Sequence, residues 1–208
     1  MEACKMKTIK SIGELESLYP PTKERAKLKQ MSALDKHMRN FISKSPFAVI
    51  STKGADGLGD VSPRGGDPGF ALVVDELTIA LPDWPGNNRL DNLKNIIDHP
   101  GIGLMFMIPG VNETLRVNGL ASIVVDASFL AQFETRGKLP RSVILIDIKE
   151  AYLHCAKAIV RSGLWLDENK IERSELPTLG QMIKDQVGMS EEPESQEEME
   201  RRQAKSLY

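Results

Sequence analysis

Residues 114–125 read TLRVNGLASIVV. Leu115, Val117, Ala121 and Ile123 fall on one side of a period-2 pattern and Arg116, Asn118 and Ser122 on the other, which is the alternation of a strand with one face in a core. On either side lie two further apolar strands, IGLMFMI (102–108) and RSVILIDI (141–148). Upstream, FAVIST (47–52) and GLGDVS (57–62) flank the turn Lys53-Gly54-Ala55-Asp56, and ALVV (71–74) and LTIAL (77–81) flank Asp75-Glu76, so each pair reads as a hairpin. Strands mostly in hairpins, with short helices between them, predict a mainly β chain of α+β type, an antiparallel barrel or sandwich.

The helices have their own signals. Ser32 and Asp35 have capping-box spacing ahead of Leu34, Met38, Phe41 and Ile42, which predicts a helix ending near Ser45-Pro46. In PGNNRLDNLKNIIDHPG, Asn87 or Asn88 is expected to cap a helix carrying Leu90, Leu93, Ile96 and Ile97, which Pro100-Gly101 stops. Asp126 is expected to cap a short helix around Phe129, Leu130 and Phe133. Residues 1–30 form an N-terminal helical arm, with Ile12, Leu15 and Leu18 at helical spacing until Tyr19-Pro20-Pro21, and the arm is expected to pack on the main domain, residues 31–189. Residues 190–208 are a charged tail: six glutamates between 190 and 200, then Arg201, Arg202 and Lys205, expected to be solvated or frayed.

Composition narrows the function classes. With 208 residues, 41% hydrophobic and 27% charged, the chain reads as one globular domain. A net charge of −2 gives no global attraction to nucleic acid or anionic membrane, and 5% aromatics argue against a single-strand nucleic-acid groove. No apolar run reaches signal-peptide or membrane-span length, which predicts a cytoplasmic protein with no membrane partner. Cys4 and Cys155 are too far apart for a metal-binding pair, and His37, His99 and His154 lack zinc spacing. Phosphate-loop, dinucleotide, nucleophile-elbow and His-Glu-x-x-His motifs are absent from the sequence.

Four segments can carry chemistry. VSPRGGDPGF (61–70) sets Arg64 among Gly65, Gly66 and Gly69, with Pro63 and Pro68 stiffening what reads as a turn after a strand. Arg64 is then either the partner of an anion held in that turn or a solvated turn residue. PGNNRL places Asn87, Asn88 and Arg89 at the expected first turn of a helix, where free N–H groups and the dipole favour a phosphate, although ordinary capping uses the same asparagines. Arg116 is a third guanidinium, which needs an anion if its face is interior and means little if solvated. Read as a helix, AYLHCAKAIVRSGLW (151–165) puts His154, Lys157 and Arg161 on one stripe and turns Tyr152, Ala156 and Ile159 to the core; such stripes are often only a wet face.

In order, SPRGGDPGF, LPDWPGNNRLDNLKNIIDHPGIGLMFMIPG, ETLRVNG, and HCAKA with RSGLW resemble the pyridoxamine 5′-phosphate oxidase-related flavoproteins of the FMN-binding split-barrel fold, from about Met31 to about Val187. The resemblance implies an antiparallel split β-barrel with short flanking helices, a homodimer, and FMN at the subunit interface. It implies that Arg64, Asn88 and Arg89, with Asn87 beside them, hold the FMN phosphate. By the same resemblance Leu81 and Pro82 lie along the flavin through backbone contacts, Thr114 and Arg116 approach from the partner subunit, and Lys157 and Arg161 are further cofactor-binding candidates. It implies an oxidoreductase moving hydride or electrons to a small-molecule redox substrate. It leaves open a non-catalytic flavin-binding or sensor protein and a split-barrel enzyme using a deazaflavin. The chain departs from authentic pyridoxamine phosphate oxidases where it ends in LPTLGQMIKDQVG and the charged tail, so vitamin B6 oxidation is not inherited.

Overall fold

The computed structural model describes residues 6–206. Cys4 and the arm's first residues lie outside them, as do the last two of the tail. The order is α1 (Ile12–Glu16), α2 (Glu24–Leu28), α3 (Lys36–Lys44), β1 (Phe47–Lys53), β2 (Gly59–Gly65), β3 (Leu72–Val73), β4 (Thr78–Asp83), α4 (Asp91–Asp98), β5 (Gly101–Met107), β6 (Thr114–Val124), α5 (Ala127–Leu130), β7 (Ser142–His154), α6 (Lys157–Ser162), α7 (Leu179–Val187) and α8 (Gln196–Ser206).

The seven strands form one antiparallel sheet in the order β2-β1-β5-β6-β7-β4-β3. The alternation that opened the sequence is realised in β6: Leu115, Val117 and Ala121 are buried, while Arg116, Asn118 and Ser122 face away from the core. With Ile50, Phe106, Ile144 and Ile146 they fill the interior of a curled sheet. α3 caps it with Met38 and Ile42, and α4 with Ile96. The curl brings β2 and β4 together although four strands separate them in the ladder and no β-pairing joins them. This seam makes the barrel a split one. A smaller cluster of Ala80, Phe133 and Val143 packs on the other side of β4 and β7.

Five local readings need correction. β2 runs through Pro63 and Arg64 to Gly65, pairing Val49 with Pro63 and Ala48 with Arg64, so the turn starts only at Gly66. An edge strand tolerates a residue without an N–H, and β2 is such an edge. The N-cap of α3 is Asp35 itself, which accepts from the His37 and Met38 N–H groups, and no Ser32 capping box is made. Asn87 and Asn88 do not cap α4: the Asn87 carbonyl oxygen accepts the Arg89 N–H at 3.0 Å, making a side-chain turn that keeps the chain out of the helix until Asp91. Asn88 has φ 57°, the left-handed conformation asparagine tolerates. Residues 151–154 belong to β7, because the first half of β6 takes its ladder partners there, with Leu115 opposite Leu153 and Arg116 opposite Tyr152. Finally, α1 and α2 bury no residue. The arm meets the barrel at its end, where Lys29 and Gln30 bond to β7 and Met31 pairs with Ala151.

Asp126 does cap α5, accepting the Phe129 N–H. That bond and one from the Ser128 hydroxyl hold its carboxyl below the usual range, the hydroxyl having the larger effect. The tail is helical in α8, where Arg202 is bound by Glu194. No helix among the described residues is long and apolar enough to cross a membrane.

Candidate functional site

Asp60, Ser62 and Arg64 alternate onto the inner side of β2, at the seam. From there Arg64 reaches across to β4, where its Nη1 donates to Asp83 Oδ1 at 2.6 Å; both side chains are mostly covered, at 21% and 15% exposure. Its Nη2 lies 3.5 Å from Asn92 Oδ1, and its Nε is buried without an acceptor. Asn92, buried on α4, donates to Thr52 Oγ1 at 2.9 Å and Asp60 Oδ2 at 3.0 Å, and Asn95 donates to the same two oxygens at 3.0 Å each. This network ties α4 to β1 and β2 and holds the floor beneath Arg64.

Above that floor is a cavity of about 350 Å³, closed on the far side by Trp84 and the loop 86–91. Arg64 from β2 and Asn87, Asn88 and Arg89 from the loop before α4 all line it. Both guanidinium groups are engaged by the protein's own carboxylates. Arg64 is held by Asp83, and Arg89, 78% exposed, is held by Asp91 at 2.8 Å. Two guanidinium groups and three carboxylates (Asp60, Asp83 and Asp91) share the cavity wall. Arginine carries five donors, so a carboxylate on one edge leaves others for a ligand, the orphaned Arg64 Nε among them.

A second cavity, of about 510 Å³, lies on the other side of Trp84, walled by Phe70, Pro82, Trp84 and Phe133. The glycine-rich loop borders it, but its glycines serve the protein's own backbone. Gly69 has φ 85° and a Cβ there would sit 3.2 Å from the Ser43 carbonyl oxygen, while the Gly66 N–H donates to the Pro46 carbonyl. Pro82 thus reaches a cavity wall, whereas Leu81 is fully buried and lines neither space.

The other site candidates are elsewhere. Arg116 lies on the outer face of the sheet, along an open, largely apolar groove with Val49, Val61 and Met105, and is paired with Glu150 at 3.3 Å. Thr114 is buried opposite His154. Lys157 and Arg161 are exposed on α6 and line none of these cavities, and His154 is off their stripe because it belongs to β7. Residues that sequence reasoning passed over are Asp83, Trp84 and Asn92. Asn92 could have been found: with Ile96 at i+4 it falls on the helix face that packs inward, where an amide must find partners.

The pyridoxamine 5′-phosphate oxidase family model matches residues 34–155, more than half of the chain, and ends where β7 does. The chain belongs to that family. Solved structures similar to it include HupZ of Group A Streptococcus (18% identity, 58% of this chain and 93% of that one, TM-score 0.48). Two others are general stress protein 26 of Bacillus anthracis (16%, 56% and 93%, 0.43) and a FAD binding protein of Mycobacterium smegmatis (16%, 60% and 97%, 0.42). No curated protein matches the chain.

Proposed function

We propose that this protein is an FMN-binding oxidoreductase that acts as a homodimer on a small-molecule redox substrate. The observation that carries the reading is the convergence of Arg64, Asn87, Asn88 and Arg89 on one cavity at the barrel seam, in a chain of the pyridoxamine 5′-phosphate oxidase family. The donor set suits a phosphate monoester: two guanidinium groups for charge, asparagine amides, and a loop already held in its turn by Asn87. A buried guanidinium N–H with no acceptor is an incomplete site, and a phosphate oxygen would complete it.

The phosphate would be held by Arg64 and Arg89, with Asn87 and Asn88 beside it. Trp84, shared by both cavities, is placed to pack on a ring system extending from one to the other. Bound flavin supplies hydride or single-electron chemistry at its ring, and the protein's part is to orient it and exclude water. Within one chain, Thr114 and Arg116 lie on β6, away from the seam cavity, so a contribution from them requires a second copy. The exposed apolar residues Val61 and Met105 beside Arg116 give that copy a surface to cover.

FMN titration tests the reading. The expected result is quenching of flavin fluorescence with saturation at one FMN per chain, and sedimentation as a dimer. Unchanged fluorescence would overturn the cofactor, and a flavin-retaining monomer would overturn the shared site.

A further inference from the structure

On the end of β7, away from the seam, Tyr152 and His154 are two residues apart and therefore on one face, with ring centroids 4.8 Å apart. Two fixed cations meet the same phenol ring. Lys29, at the end of the arm, places Nζ 5.2 Å from its centroid and donates to the Leu153 carbonyl at 2.9 Å. Arg116, directly opposite Tyr152 on β6, places its guanidinium carbon 5.5 Å away.

The nearby carboxylate is Glu150, and it is heavily used: it takes Arg116 and accepts from Gln30 and Asn118. His154 has no such partner. Its Nε2 is buried and unbonded, and the ring's pKa is held below the ordinary histidine value, first by burial and then by the charges of Lys29 and Arg116. The charged and titratable groups around it are thus Lys29 from the arm, Arg116 from β6, and Glu150 and Tyr152 from β7. Lys157, three residues on, is exposed. Three elements bring donors to one spot and leave it short of a negative charge.

We propose that Lys29, Arg116 and His154 form a binding site for the carboxylate or phosphate group of a small molecule, with Tyr152 as its apolar floor. The two cations supply fixed charge and His154 Nε2 supplies a further donor when the ring is protonated. An anion there offsets the repulsion that keeps the imidazole neutral, so anion and proton bind together. The site is built within one chain and stands whether or not the seam cavity takes a flavin.

The test follows the imidazole C2–H signals of the full-length protein by proton NMR against pH, with inorganic phosphate or acetate added in separate series. His154 is assigned by its loss in His154→Gln. The expected result is that one or both probes raise the proton affinity of His154 at least threefold, leave His37 and His99 unmoved, and lose the effect in Lys29→Gln and Arg116→Gln. A larger response to phosphate identifies a phosphoryl ligand, and a larger response to acetate a carboxylate. A flat response to both probes overturns the proposal, as does a shift that persists in both variants. FMN quenching recorded on the unsubstituted protein and on Lys29→Gln, a position that lines neither cavity at the seam, reads the seam cavity separately.

Discussion

Replacing Arg64 with alanine separates what this residue does for the fold from what it does for a ligand. Asp83 is 15% exposed and has Arg64 at 2.6 Å, so the variant strands a mostly buried carboxylate. An unsatisfied buried acceptor costs about 1–3 kcal/mol. For a chain of this length that lowers Tm by roughly 2–12 °C, since each kcal/mol shifts Tm by about 2–4 °C. The ligand loses a charge-assisted contact of about 1.5–3 kcal/mol. FMN should therefore bind roughly 10- to 150-fold more weakly, at about 1.4 kcal/mol per decade. Riboflavin has no phosphate and should lose threefold at most. Arg64→Ala with Asp83→Asn should recover most of the stability and none of the FMN affinity, while Asp83→Asn alone, which frees the guanidinium, should tighten FMN. Fluorescence titration with both flavins and thermal melts of the four proteins give every quantity. Equal losses for FMN and riboflavin would refute the assignment of Arg64 to a phosphate.

Other perturbations have plainer outcomes. Arg89→Ala removes a largely solvated side chain, so it should weaken FMN while changing stability by no more than about 0.5 kcal/mol in denaturant titration. Gly119→Ala falls where the β6–β7 register shifts, and its new Cβ would lie far inside contact distance of the Asp147 carbonyl oxygen. A loss of about 1–3 kcal/mol in the same assay is expected. Phe106→Ala empties the centre of the barrel and should cost about 3–5 kcal/mol. Because His154 is harder to protonate in the folded chain than in the unfolded one, its proton favours unfolding. Stability should fall as pH drops from about 6.5 toward the lowered folded value, and His154→Gln should flatten that slope in melts across the window.

Period-2 alternation made β6 legible at once, and the hairpins at Lys53–Asp56 and Asp75–Glu76 followed from turn chemistry. Where the reading failed, a distant partner outweighed a local preference. Residues 151–154 suit a helical stripe, yet β6 needs them as ladder partners, and no local pattern announces that need. Pro63 reads as a strand breaker until β2 is known to be an edge. Arg64, Asn87, Asn88 and Arg89 were identifiable as one constellation because their residue types suit an anion. The engagement of Arg64 by Asp83 was not, since that carboxylate's partner depends on which strands the curl brings together, whereas Arg89 and Asp91 are a local pair two residues apart.

The seam between β2 and β4 has one more implication. No interstrand register sets its width; the chain itself crosses it, through residues 66–71 and the short strand β3. A covalent tether of that kind is adjustable: adding or removing a residue in it resizes the opening while each paired strand keeps its neighbours. In this chain, lengthening or shortening residues 66–71 should therefore change the width of the seam while leaving the ladder intact.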